Sequence, residues 1–273
     1  MLYSMDSGVS ALDQFQQDLD VIGNNIANVN TVGYKSADVQ FADTLSQTIG
    51  SNSIGPEQIG TGVLTSAITN NFSNGSLTST GVQTDFALNG PGFFLVKDPN
   101  TNETYATQDG EFSVDSNGYL INSAGMRLQG YTSSAHSAVG DVQISNANAP
   151  GGDTSGVESY SFDSSGNIKI ELTDGTQYTD GQILVQNYTS PEQLTKVGGN
   201  LYSGLTAAGG FTTPVAPGSD GTGSFTSGSL EMSNVDLASQ LTSLITTQRA
   251  YEANTKVITT SDEILQDLVN LKH

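Results

Sequence analysis

LDQFQQDLDVIGNNIANV, residues 12–29, spaces its apolar side chains in alternating steps of three and four: Leu12, Phe15, Leu19, Ile22, Ile26 and Val29. Such steps return to one face of an α-helix, so the stretch predicts a helix carrying a heptad stripe. Met5 and Gly8 extend the register backwards. Asp6 or Ser7 is a candidate N-cap, and the Asn, Thr and Gly of NVNTVGYK end the helix, with Gly33 suited to a left-handed backbone.

The pattern returns near the other end of the chain. Leu237, Leu241, Leu244, Tyr251, Ile258 and Leu265, continued by Val269, again step by three and four, with polar Gln248, Thr255 and Asp262 at the remaining seam positions. One long helix is expected, with Ser233 or Asn234 as its N-cap and Asp236 in the first turn, where the helix dipole favours an acid. Isolated helices are marginal in water, and neither stripe can cover itself. The two are expected to pack, either as a hairpin within one chain or as a seam between chains.

Between the helices, from about residue 70 to 225, the chain reads as short strands and tight turns. FALNGPGFFLVKD carries apolar Phe86, Leu88, Phe93 and Leu95. Asp115-Ser116-Asn117-Gly118 and Asp163-Ser164-Ser165-Gly166 sit between alternating apolar residues as hairpin loops would, and FSVDSNGYL from Phe112 resembles YSFDSSGNI from Tyr160. Glycine-rich Gly50–Gly62 and Ala207–Gly228 look like linkers. The expected class is α+β: paired long N- and C-terminal helices, coiled-coil-like, plus a mostly β central domain. Residues 1–30 and 232–273 make the helical domain, 71–206 the β-rich domain, and 31–70 and 207–231 connect them.

Composition removes whole classes of function. Eight basic residues against 28 acidic ones give a formal charge of −20, which phosphate backbones and anionic lipid surfaces repel. Without cysteine there is no disulfide, thiolate metal site or thiol nucleophile. His136 and His273 are the two histidines, and no GxSxG elbow accompanies them, so no catalytic constellation is expected and His136 reads as a surface-loop residue. The Asp-rich turns lack the terminal bidentate Glu of an EF-hand and read as turn caps, so no metal or cofactor is expected. The start shows no basic segment followed by an apolar core, and no apolar run is long enough to span a bilayer, so neither a cleavable signal nor a membrane span is expected.

DVIGNNIANVNTVGYK, residues 20–35, closely resembles the flagellar rod and hook family of axial proteins. Asn24, Asn25, Ala27, Asn28, Gly33 and Lys35 carry that motif, and Ser233, Asn234, Val235 and Asp236 a second one. LNGPGFFLV from Leu88, TQDGEFSVDSNGYLINSAGMRLQGY from Thr107 and the stretch from Ser227 onward match the family in its own order. The resemblance implies an inner tube of paired terminal helices with the β domain packed outside, repeated helically along a hollow filament. The stripe residues would then be assembly interfaces. LINSAGMRLQGY and TTSDEILQDLVNLKH look more like the hook protein than the distal rod protein. The expectation is therefore a subunit of the curved hook, a universal joint passing torque from rod to filament, in a short version without an additional outer domain; a distal rod or other rod protein of the basal body is the alternative. Implied partners are the chain itself, the distal rod, the hook cap, the hook–filament junction protein and the export apparatus. The implied location is the extracellular flagellum, reached by type III export.

Overall fold

The computed structural model describes residues 2–52, 55–133, 138–149, 155–210 and 214–271. His136 lies outside the described residues, as do parts of both expected linkers. The chain divides into two compact units, residues 1–29, 36–71 and 235–273 forming the first and residues 30–35 and 72–234 the second.

The first unit contains α1 (Leu2–Ala27), β1 (Ala37–Asp43), β2 (Ser46–Asn52), β3 (Gly55–Gly60), β4 (Val63–Asn70) and α2 (Leu237–Leu271). β1 and β4 pair antiparallel, with a register irregularity between Gln40 and Phe41, while β2 and β3 form a separate hairpin. Much of the stretch expected as a linker from Gly50 is therefore strand. Ile59 within it and Ile49 just before it are 43% and 61% exposed, so no covered face imposes an apolar alternation there.

Helix ends differ from expectation by a few residues. α1 begins at Leu2, so Asp6 and Ser7 are interior and do not cap it. It ends at Ala27, and Gly33 takes its left-handed conformation, φ +66°, only after a further turn. α2 begins at Leu237, and its cap is Asp236: the carboxylate accepts the Ala238 N–H at 3.0 Å and the carbonyl accepts the Gln240 N–H at 2.9 Å. A short acidic side chain directly before the first helical residue reaches that N–H better than Ser233 or Asn234 further upstream.

The second unit is built on a twelve-stranded antiparallel sheet. Its main path runs through Val157–Phe162, Asn167–Leu172, Gln177–Ile183, Arg127–Tyr131, Phe93–Lys97, Thr104–Thr107, Leu201–Ser203 and Thr195–Gly198. The strand Phe93–Lys97 is covered on both faces: Phe94 and Val96 join a large core with Phe86, Leu120 and Leu128, while Phe93 and Leu95 join a smaller one with Tyr188 and Tyr202. That explains an unbroken apolar run in place of alternation.

The two similar turns share their hydrogen bonds. Asp115 and Asp163 close them, with the N–H of Gly118 and of Gly166 donating to the Asp carbonyl at 2.8 Å, and both glycines have positive φ. Each glycine carbonyl also accepts a backbone N–H, from Ile144 at 2.7 Å and from Ile183 at 2.8 Å. The Ser116 N–H, 2.6 Å from Asp115 Oδ1, holds that carboxyl below its usual range. Among the described residues no helix is long and apolar enough to cross a membrane.

Candidate functional site

Within the first unit α1 and α2 lie antiparallel, since contacts that climb one helix descend the other. A Cβ on Gly8 would stand 3.2 Å from Ile258 Cγ1; Thr247 Oγ1 donates to Asp18 Oδ2 at 2.8 Å; Asn25 Nδ2 donates to Gln240 Oε1 at 3.3 Å. All six stripe residues of the N-terminal segment, Leu12, Phe15, Leu19, Ile22, Ile26 and Val29, are wholly or partly buried. On α2 the stripe splits. Leu244, Ile258 and Leu265 are partly buried, whereas Leu237, Leu241 and Tyr251 are exposed.

The positions that replace them on the inner face are Gln240, Thr247, Asn254 and Ser261, with Thr247 and Ser261 buried. They repeat every seven residues beside Leu244, Ile258 and Leu265, so the inner seam of α2 alternates apolar and polar positions. Apolar residues outside that seam are exposed: Leu241 and Ile245 are 49% and 57% exposed.

The strands cover another side of α1. The rings of Phe15 and Phe41 meet edge-to-face at 6.2 Å, Val63 N–H donates to Ser10 Oγ at 3.3 Å, and the Thr65 hydroxyl reaches the side-chain oxygens of Gln14 and Gln17. Exposed apolar residues continue here in Phe41, Leu64, Ile68 and Leu45, the last 90% exposed. In the second unit the large exposed apolar residues are Leu77, Val82, Val114, Val139, Val157 and Val197. Scattered exposed apolar side chains are ordinary, whereas a contiguous apolar surface marks a contact site.

The motif residues have structural work to do. Asn25 is buried and bonds the Ala37 backbone in both directions, Nδ2 to the carbonyl at 2.9 Å and N–H to Oδ1 at 3.0 Å, which turns the chain from α1 into β1. Asn28 Nδ2 donates to Asn24 at the helix end, while Ala27 is exposed there. In the second unit Gly33 N–H donates to the Glu231 carbonyl at 2.8 Å, and a Cβ on Gly33 would lie 2.7 Å from Asp109 N. Lys35, 0% exposed, places its ammonium 2.8 Å from Glu231 Oε1 and 2.9 Å from the Ser73 carbonyl; Gly75 N–H bonds the same Oε1 at 2.7 Å. Asn234 Nδ2 donates to Ser73, and Ser233 and Val235 beside it are partly buried. Lys196 Nζ donates to the Lys35 carbonyl at 2.9 Å and lies 4.7 Å over the Tyr34 ring, where burial pushes its ammonium below the usual lysine range.

Glu231 was not singled out in the sequence. Its signal was a lone acid between the apolar Leu230 and Met232, an unfavourable place unless a cation is buried with it. Among the described residues no group of three or more His, Cys, Asp or Glu is placed to hold a metal ion.

Three family descriptions match the chain: the flagella basal body rod protein over residues 5–35, the flagellar hook protein FlgE/F/G D1 domain over 87–170, and the flagellar basal body rod FlgEFG protein C-terminal region over 226–271. The flagellar basal-body rod protein FlgG of Bacillus subtilis is 39% identical over 280 residues, spanning all of both chains. The chain belongs to the flagellar rod and hook family. The FlgG rod protein of Borreliella burgdorferi is 34% identical over 281 residues, 100% of this chain and 99% of that one. The flagellar hook protein FlgE of Treponema pallidum is 41% identical over 140 residues, 48% of this chain and 30% of that one. The hook expectation thus meets a part-length match, and the rod alternative end-to-end ones.

Proposed function

We propose that the chain is a structural subunit of the distal rod of the bacterial flagellum, polymerising helically into a straight hollow shaft outside the cytoplasm. The end-to-end similarity to rod proteins carries this reading and favours it over the hook. The terminal helices would form the inner tube and the β-rich unit its outer layer, with Leu237, Leu241, Tyr251 and the other exposed apolar residues of α2 completing coiled-coil-like seams against neighbouring copies. Contacts of that kind join different surfaces of successive copies and extend without closing. The chain would act by transmitting torque, not by catalysis, and would pair with the hook and proximal rod components at its two ends. Export would use the flagellar type III route.

Electron microscopy of basal bodies isolated from cells lacking the gene tests the assignment. Structures that stop short of the distal rod and bear no hook are expected. Full-length rods lacking only the hook would return the assignment to the hook.

A further inference from the structure

The backs of the two helices, turned away from their mutual seam, carry opposite charges at the same interval. On α1, Asp6, Asp13 and Asp20 are all exposed and seven residues apart, while Gly8, Phe15 and Ile22 of the opposite side are covered. On α2, Arg249 and Lys256 are exposed and seven residues apart, opposite the buried line of Thr247 and Ser261. Seven helical residues rise about 10.5 Å, so each row repeats at one spacing.

We infer that these rows dock two copies of the chain, the acidic back of α1 in one copy against the basic back of α2 in the next. The occupant is a second copy because each copy carries both halves of the complement. This rests on the self-assembly reading above and adds its register. With the helices antiparallel, Asp6 faces Lys256, Asp13 faces Arg249, and Asp20 faces the neutral Thr242. Shifting the rows by one repeat would set Asp13 and Asp20 on the two cations but bring Asp6 against Glu263, which continues the α2 row. The first register avoids that repulsion. It is offset by about three residues, roughly 4.5 Å, from the intramolecular level that joins Asp18 to Thr247.

Arg249 bonds Glu252 at 2.8 Å within its own helix, both side chains being well exposed, so it can turn to a neighbouring carboxylate. Exposed ion pairs contribute little affinity each, but like charges in the wrong register are penalised, so the rows select alignment while the apolar surface supplies adhesion.

The test uses the full chain at about 0.15 M salt, where screening extends roughly 8 Å. Pelleting measures the concentration at which polymer forms, and circular dichroism checks that each variant is folded. Asp6→Lys/Asp13→Lys and Arg249→Glu/Lys256→Glu should each raise that concentration about tenfold or more. An equimolar mixture of the two should restore it to within about twofold of the unmodified chain, because reversed and native rows can alternate along the polymer. Polymerisation of either variant alone at the unmodified threshold, or no rescue on mixing, overturns the docking while leaving self-assembly intact. Failure of the unmodified chain to polymerise overturns the self-assembly reading, and the docking with it.

Discussion

Lys35→Met should destabilise the second unit severely. The ammonium and carboxylate of Lys35 and Glu231 are 0% and 3% exposed and 2.8 Å apart. Methionine fills a similar volume but leaves the Glu231 carboxylate buried without its cation, the Gly75 N–H still 2.7 Å away, and leaves the Ser73 carbonyl without the ammonium 2.9 Å from it. Removing one partner of a buried pair costs about 3–5 kcal/mol, chiefly because the survivor remains charged and uncompensated. At about 2–4 °C per kcal/mol for a unit of this size, the melting transition should fall by roughly 6–20 °C. Glu231→Gln in the same chain removes the orphan charge while keeping an oxygen for Gly75, so the double variant should recover about half the loss or more. Scanning calorimetry on dilute, unpolymerised protein reads both shifts. A drop under about 2 °C for the single variant, or no recovery in the double, would refute the reasoning.

Gly33→Ala should cost about 2 kcal/mol or more in urea unfolding, because the residue sits at φ +66° with its Cβ position 2.7 Å from Asp109 N. Burial raises the carboxyl of Asp109, so the stability its protonated form confers is complete below the ordinary Asp value of 3.8 and is lost as pH rises through the higher folded value. Asp109→Asn can still accept the Glu111 N–H and should therefore gain on the unmodified chain in melting temperature as pH climbs from 4 towards neutrality; a constant difference across that range would contradict the sign. Leu241→Asp/Ile245→Asp, at positions 49% and 57% exposed, should leave the monomer's melting temperature within a degree or two yet abolish pelleting under polymerising conditions.

Much of the architecture was legible because hydrophobic period reports which face is covered. Leu12 to Ile26 step along α1 and are wholly or partly buried, with Val29 just beyond the helix end, and Asp115 and Asp163 announced turns whose glycines needed positive φ. What escaped was polar. The inner seam of α2 runs through Gln240, Thr247, Asn254 and Ser261, side chains small or bonded enough to sit against α1, and an apolar stripe search passes over them. The same stripe takes in Leu241, which is 49% exposed beside these polar positions. Glu231 was hidden for a related reason: its partner Lys35 is far away in sequence, and only the fold brings the two charges together.

Helical reconstruction by electron cryomicroscopy of the polymer grown from the purified full chain addresses the central claim most directly. A straight hollow tube is expected, its channel lined by α1 and α2, with Leu241 and Ile245 of each copy buried against a neighbour. A channel lined by the β-rich unit, or α2 still facing solvent along Leu241 and Ile245, would contradict it.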